Sequence, residues 1–168
     1  YSPVLPDVTQ FDAMWNEFSL YKRQISNYGC ILTSVDYSKV ILCQVWNSKT
    51  HTFPAGKINQ GEDGRLAAAR ETYEETGFDP SCKQGLTAAW KESCPEKITW
   101  KTSMEERDML VHNEENGGKR RTCYVVVGVP EDYPFAPVAR KEVSMVAWYP
   151  IDNLPKPSFA VIPFLNPL

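Results

Sequence analysis

Three glutamates in one short segment could bind a divalent cation together. Glu71, Glu74 and Glu75 lie at positions i, i+3 and i+4, so on a helix their side chains share one face. Like charges one turn apart destabilise a helix by about 0.2–0.5 kcal/mol per pair, and the last turn of a helix disfavours anions. Clustered carboxylates suit Mg²⁺ or Mn²⁺ rather than zinc, and Mg²⁺ usually completes its shell with water and substrate phosphates. The spacing therefore predicts a metal site for a polyphosphate, with a merely solvated acidic face as the alternative.

The three glutamates belong to a predicted helix, Asp63 to Thr76, with Gly77 as the residue that ends it. Arg70 is four residues before Glu74 and is expected to fix a carboxylate rotamer. A helical wheel places the glutamates opposite a predicted buried stripe. That stripe consists of Leu66, Ala69 and Tyr73.

The remaining periodicities predict an α/β fold, a mixed sheet with helices on both faces. A helix over about 8–20 has an apolar stripe that we expect to dock on the core. That stripe consists of Phe11, Met14, Trp15 and Phe18. Strands are predicted at 28–35 and 39–46 as a hairpin, at 52–54, more weakly at 85–91 and 98–103, and at 121–129 and 143–149. Residues 104–120 predict a mobile loop or insertion, and 159–165 a short capping helix.

Length and composition indicate one globular domain. The 168 residues are 42% hydrophobic and 23% charged, enough for a core without disulfides, and no apolar run is long enough to span a bilayer. The net charge of −3 argues against nucleic-acid binding by bulk charge alone, although a local basic groove is compatible with it. We predict a single domain over 1–168, with an N-terminal helical extension at 1–24 and a proline-rich tail at 150–168.

The five cysteines form no CxxC pair. Cys30, Cys43 and Cys123 lie in apolar strand-like runs, so we expect buried thiols in a reducing, intracellular compartment, mitochondrial or cytoplasmic. Because the chain begins with Tyr1 rather than Met, we expect a processed or trimmed N-terminus.

The segment from Gly56 to Phe78 resembles the Nudix box, G-x5-E-x7-R-E-U-x-E-E-x-G-U. The matching residues are Gly56, Glu62, Arg70, Glu71, Glu74, Glu75, Gly77 and Phe78. The resemblance implies an α/β/α sandwich with a loop-helix-loop site, and a pyrophosphohydrolase that uses Mg²⁺ or Mn²⁺. It implies metal binding by Gly56, Glu71, Glu74, Glu75 and Glu142. It implies structural support of the motif by Glu62, Arg70 and Gly77.

The resemblance extends to the catalytic part of mRNA-decapping enzymes. It covers Phe53–Ile58, Val129–Phe135 and Trp148–Pro155. Bacterial RNA 5′ pyrophosphohydrolases have a similar run to Gly56–Glu62, and mRNA stability factors of kinetoplastid mitochondria resemble the chain more weakly. The resemblance implies that Glu142 reaches the metal or activates water and that Lys57 contacts phosphate.

We therefore expect in-line attack of water on a phosphorus of an RNA 5′ end or nucleotide polyphosphate, with roles in mRNA processing or stability. The predicted catalytic residues are Glu75, Glu142 and Lys57. The predicted substrate-binding residues are Lys57, Arg120, Arg121, Tyr28 and Trp46, with Lys119, Arg140 and Lys141 flanking the cleft and Trp90 as a further stacking candidate.

Three alternatives stay open. The first is a Nudix hydrolase of small nucleotides or diphosphoinositol phosphates. The second is a Nudix-fold RNA-binding subunit that joins protein partners in an RNA-processing complex, with minor catalysis. The third is a scaffold with an accidental acidic face.

Overall fold

A computed structural model describes residues 8–81, 104, 106–114, 119–155 and 160–165. The helices are α1 (Val8–Gln24), α2 (Gly64–Thr76) and α3 (Ile162–Leu165). The strands are β1 (Asn27–Thr33), β2 (Lys39–Val45), β3 (His51–Thr52), β4 (Ala55–Lys57), β5 (Met109–Asn113), β6 (Arg120–Val127) and β7 (Val143–Pro150). Two 3-10 turns span Glu106–Asp108 and Ile151–Asn153. The strands predicted near 85–91 and 98–103 lie outside the described residues.

The centre of the fold is a mixed sheet. In the described part of the chain it has seven strands, and its main path runs β3-β2-β1-β6-β5, while β4 pairs with β1 and β7 pairs with β2. The pairing of β1 with β6 is parallel, and the other pairings are antiparallel. The predicted hairpin of β1 and β2 and the predicted mixed sheet are confirmed.

Successive side chains of a strand point to opposite sides of the sheet, and both sides carry buried residues. One side, the helix face, packs against α2 through Cys30, Leu32, Ile41, Tyr124 and Val126, together with Ala68 and Ala69 of the helix. The other side, the tail face, packs against the C-terminal segment through Ile31, Val40, Leu42, Phe53 and Cys123, together with Val161 and Phe164. The helix-sheet-helix layers that the sequence predicts are therefore present.

Helix α2 begins and ends where its caps predict. The Asp63 side chain accepts hydrogen bonds from two backbone N–H groups of the first turn, which otherwise have no partner. Gly77 adopts φ 73° and donates its N–H to the Tyr73 carbonyl, as a left-handed C-terminal cap does.

The predicted buried stripe of α2 is correct for Ala69, which is buried, but wrong for Leu66, which is 54% exposed, and Tyr73 is only half-buried. The buried residues are Ala67, Ala68, Ala69, Glu71, Thr72 and Thr76. Three consecutive alanines let the helix lie close to β1. With the alanines against the sheet, the helix is rotated about its axis so that Glu71 also points inward. The wheel failed because it assumed that the largest apolar residue marks the buried side.

The predicted docking of the α1 stripe on the core is also wrong. Phe11, Met14, Trp15 and Phe18 are 49–56% exposed. The three aromatic rings contact each other along the helix, with centroid distances of 6.1 Å for Phe11 and Trp15 and for Trp15 and Phe18. In the described part of the chain, no helix combines the length and apolar character needed to cross a membrane.

The segment predicted as a loop over 104–120 contains a strand, β5, which pairs with β6. Leu110 packs on the tail face, whereas Val111 on the other side of the strand is 40% exposed. Polar residues are tolerated on such an outer strand. The polar residues around β5 hid the apolar pattern by which a strand is recognised in a sequence. The predicted capping helix is confirmed in shorter form as α3, and Cys30, Cys43 and Cys123 are buried.

Candidate active site

Arg70 ties helix α2 to the loop before it. Its Nε donates to Glu62 Oε1 at 2.8 Å and its Nη2 to Glu62 Oε2 at 2.9 Å, a bidentate pair of the strong kind. The same Nη2 donates to the Lys57 carbonyl at 3.1 Å, and Glu62 Oε2 accepts from the Asn59 backbone at 2.9 Å. Hydrogen bonds from Arg70 hold the pKa of Glu62 below its ordinary value. Glu62 and Arg70 thus link the loop before α2 to the helix, and their supporting role stays a prediction.

Arg70 also contacts two of the predicted metal ligands. Its Nη1 donates to Glu71 Oε1 at 2.6 Å and lies 3.5 Å from Glu74 Oε1. Glu71 is 8% exposed, and burial raises its pKa against the opposing effect of Arg70. Gly56 lies directly against it, because a methyl group at Gly56 would overlap the Glu71 carboxylate. Glycine at this position therefore lets the carboxylate lie against the β4 backbone.

Glu75 is the most strongly perturbed carboxylate of the site. Burial raises its pKa to about 8, and the negative charges of Glu71 and Glu142 act in the same direction. The Ala55 backbone N–H and the Cys43 thiol oppose this shift as hydrogen-bond donors. Its Oε2 is buried and has no hydrogen-bond partner. A buried polar atom without a partner is costly, and a ligand that contacts this oxygen would remove that cost.

Glu142 comes to the site from the loop that precedes β7. Its carbonyl accepts from the Trp46 backbone at 2.9 Å, which fixes the loop beside the end of β2. The preceding residue, Lys141, has φ 63°, a costly conformation for a residue with a side chain. The Glu142 side chain is exposed, and its charge raises the pKa values of both Glu71 and Glu75. The chain thus holds a fourth carboxylate near the helix at the expense of local strain.

The ligand atoms of these carboxylates are of the kind that a hard divalent cation prefers. Glu71, Glu74, Glu75 and Glu142 offer only oxygen donors, the ligands that Mg²⁺ and Mn²⁺ prefer, and the unpartnered Oε2 of Glu75 is among them. Among the described residues, no three His, Cys, Asp or Glu side chains already stand in a metal-binding arrangement. Arg70 pairs with Glu71 and Glu74, so a cation would compete with it for these oxygens.

A cavity of about 230 Å³ joins the carboxylates to the tail face of the sheet. Its charged lining residues are Glu75, Glu142 and Arg121. Its other lining residues are Asn27, Val45, Thr52, Phe53, Ala55, Thr122, Cys123, Ala160 and Phe164. One cavity therefore brings together an acidic end for a cation and a basic side chain for an anion.

A row of Lys57, Asn27 and Arg121, with a cation at each end, lies beside this cavity. Lys57 of β4 pairs with Asn27 of β1, and Asn27 pairs with Arg121 of β6, so the three side chains lie next to each other on the tail face. Arg121 donates to Glu114 Oε1 at 2.9 Å. Burial lowers the pKa of Lys119, and the charges of Arg121 and Lys57 lower it further, so Lys119 belongs to the same basic cluster.

The other predicted substrate-binding residues lie in different places. Arg120 is exposed and, by alternation, points to the helix face. Tyr28 also lies on the helix face, with its ring against Gly64 at the start of α2. Trp46 is 43% exposed and lies beside Glu142 through its backbone. Arg140 and Lys141 are exposed next to Glu142, and Trp90 lies outside the described residues. Their roles stay predictions.

Sequence reasoning missed two residues of this site. Asn27 is part of the cavity lining, and the Cys43 thiol contacts Glu75. The apolar run around Cys43 predicted a buried thiol, but only the orientation of α2 against the sheet brings the Glu75 carboxylate to it. The pairing of β1 with β6 is parallel and distant in sequence, so no local pattern places Asn27 beside Arg121.

Comparison with known proteins gives the family. The model of the NUDIX domain matches residues 24–163. The mRNA-decapping enzyme subunit 2 of Arabidopsis thaliana is 32% identical over 94% of this chain and 36% of its own length. The m7GpppN-mRNA hydrolase dcap-2 of Caenorhabditis elegans is 36% identical over 86% of this chain and 16% of its own length. The chain therefore spans about a third or less of these relatives.

Solved structures agree on the fold. The NUDIX domain of Shewanella oneidensis NrtR, solved with ADP ribose, superposes with a TM-score of 0.59 at 17% identity, covering 96% of both chains. An Ap4A hydrolase of C. elegans gives a TM-score of 0.51 at 18% identity, over 76% of this chain and 81% of that one. The predicted Nudix fold and the resemblance to decapping enzymes are confirmed, and the chain belongs to the NUDIX domain family.

Proposed function

We propose that the chain is a metal-dependent pyrophosphohydrolase acting on the 5′ end of RNA, at a triphosphate or cap-like polyphosphate. The observation that carries the proposal is the single cavity lined by Glu75 and Glu142 and by Arg121. Hydrolysis of a phosphoanhydride uses carboxylates that bind a divalent cation and basic side chains that bind phosphate oxygens, and this cavity contains both kinds of group.

The names of the relatives support the RNA substrate. Both curated proteins are named for mRNA decapping or mRNA cap hydrolysis, and they match most of this chain. One is named as a subunit, so association with protein partners in an RNA-processing complex is part of the proposal. A role in mRNA processing or stability follows from such a substrate.

Each residue of the site has a defined task in this proposal. Glu71, Glu74 and Glu75 would hold Mg²⁺ or Mn²⁺, with the Gly56 backbone beside them. A bound cation would neutralise charge at the phosphate and lower the pKa of an attacking water. Glu142, the exposed carboxylate, would take a proton from the attacking water as base.

The neighbouring residues position these groups. Lys57 holds a non-bridging phosphate oxygen from the adjacent strand. The Cys43 thiol and the Ala55 backbone N–H contact Glu75 and orient it. Arg70 would have to give up its contacts with Glu71 and Glu74 to a bound cation, while its bidentate pair with Glu62 keeps the loop in place.

The test is product analysis with Mg²⁺ and three substrates: 5′-triphosphate RNA, capped RNA and free nucleoside triphosphates. We expect release of pyrophosphate or phosphate from the 5′-triphosphate RNA, and release of the cap nucleoside with one or two phosphates from the capped RNA. Replacement Glu75→Gln should lower the rate by about 10²–10³-fold, the scale of losing one group that stabilises transition-state charge. The matched control is Glu17→Gln on the exposed face of α1, which should keep full activity.

The outcomes separate the alternatives. Faster turnover of free nucleotides than of RNA would replace this proposal with a small-nucleotide hydrolase. Tight RNA binding without product would identify a binding subunit.

A further inference from the structure

We propose that Asn27 recognises a ribose hydroxyl of the substrate and thereby distinguishes the first ribonucleotide of an RNA from a deoxyribonucleotide. The inference rests on the proposed function, because it places a sugar beside the site where the 5′ phosphates bind. It adds a specificity residue that lies outside the Nudix box, on strand β1.

The first argument is the unsatisfied side chain. Asn27 lines the cavity, and its Oδ1 is buried without a hydrogen-bond partner. A buried acceptor without a donor is unfavourable, and a ligand that brings the donor gains affinity. A hydroxyl both donates and accepts, so it satisfies the carboxamide in either of its two orientations.

The second argument is the order of the neighbours. On the tail face the row runs Lys57, Asn27, Arg121, one residue from each of three adjacent strands. Strands lie about 4.8 Å apart, so the row spans about 10 Å. A cation, a neutral hydrogen-bonding group and a second cation match a phosphate, a sugar and the next phosphate along one RNA strand.

The third argument is the arrangement of the positive charges of Arg121 and Lys119 beside the cavity. Arg121 Nε donates to Glu114 Oε1 at 2.9 Å, and Nη2 forms an ion pair with the same oxygen at 2.9 Å, which fixes the guanidinium. Lys119 adds a third positive charge to this cluster. The cavity of about 230 Å³ is smaller than the roughly 300–1,000 Å³ of sites that enclose a whole small-molecule ligand. It therefore suits a sugar-phosphate unit rather than a complete dinucleotide.

The 2′-hydroxyl is the atom that would report this contact, since it is what allows a protein to tell RNA from DNA at a given position. A site that hydrogen-bonds a substrate hydroxyl rejects the analogue lacking it, because its own polar group then stays unpaired. A purely electrostatic groove would bind both sugars equally, since phosphate contacts carry no such information.

The experiment compares two trinucleotides that carry a 5′-monophosphate and so contain no anhydride to hydrolyse. One is all-ribo, and the other has a 2′-deoxy first nucleotide. Dissociation constants are measured with Mg²⁺ by calorimetry. We expect wild-type protein to bind the all-ribo ligand about tenfold more tightly, and Asn27→Leu to bind both as weakly as wild type binds the deoxy ligand. Arg121→Met should weaken both ligands and keep the ratio, whereas Lys49→Met, in an exposed turn, should change neither.

A wild-type ratio near one, or a ratio that survives in Asn27→Leu, would overturn the inference. Melting curves check that Asn27→Leu folds, and Asn27→Ala is the second variant if it does not. Failure of the proposed function is visible separately, as absent hydrolysis of 5′-triphosphate RNA while the tenfold ratio persists. Failure of this inference alone appears as hydrolysis without any sugar preference.

Discussion

The metal-free protein should lose stability as the pH rises from 5 to 8, and Glu75 is the main cause. Burial, together with the charges of Glu71 and Glu142, raises its pKa from 4.5 to about 8. Between these values the native state binds a proton that the unfolded chain has released. The free energy of unfolding then falls by up to about 1.4 kcal/mol per pH unit. For one such group the loss between pH 5 and 8 is on the order of 3 kcal/mol.

Urea unfolding in the presence of a chelator measures this loss at each pH. The contribution of Glu75 is complete below pH 4.5 and disappears as the pH passes 8, because the pKa is raised in the native state. Glu75→Gln should flatten the profile, and Glu17→Gln on α1 should leave it unchanged. Excess Mg²⁺ should restore stability most at pH 8, since cations bind deprotonated carboxylates. Metal-free stability that stays level or increases toward pH 8 would refute the reasoning.

Three further outcomes follow from single contacts. Arg70→Lys loses the bidentate pair with Glu62 and should lower the free energy of unfolding by about 2 kcal/mol, measured by urea titration at neutral pH. Gly77→Ala forces a side chain into φ 73° against a backbone carbonyl 2.7 Å away and should cost about 1–3 kcal/mol in the same titration. Gly56→Ala displaces the Glu71 carboxylate; we expect weakened Mn²⁺ binding with an unchanged circular dichroism spectrum, and full Mn²⁺ affinity would show that this contact has no role.

The parts of the fold that follow from local rules could be predicted from the sequence. The caps at Asp63 and Gly77 set the ends of α2, and two β-rich runs separated by a short turn predicted the hairpin of β1 and β2, because both depend on residues close in the chain. The spacing of Glu71, Glu74 and Glu75 likewise placed three carboxylates on one helix side.

The predictions that were wrong concerned features that depend on tertiary packing. Leu66 and the α1 stripe were expected in the core because apolar residues usually are, but the small residues of α2, led by Ala68, pack closer to the sheet. The cavity needs β1 beside β6, which joins Asn27 to a residue more than 90 positions away. A helical wheel contains no information about such a pairing, so the row of Lys57, Asn27 and Arg121 could not be predicted.

The most direct test of the account is a Mn²⁺ titration followed by electron paramagnetic resonance, since the central claim is that the carboxylates of α2 bind divalent cations together. Wild-type protein and Glu17→Gln should bind Mn²⁺ with the same affinity, seen as loss of the free Mn²⁺ signal. Addition of 5′-triphosphate RNA should make Mn²⁺ binding tighter. The double variant Glu71→Gln, Glu75→Gln should lose most of this binding while remaining folded. Undiminished Mn²⁺ binding by the double variant would contradict the account.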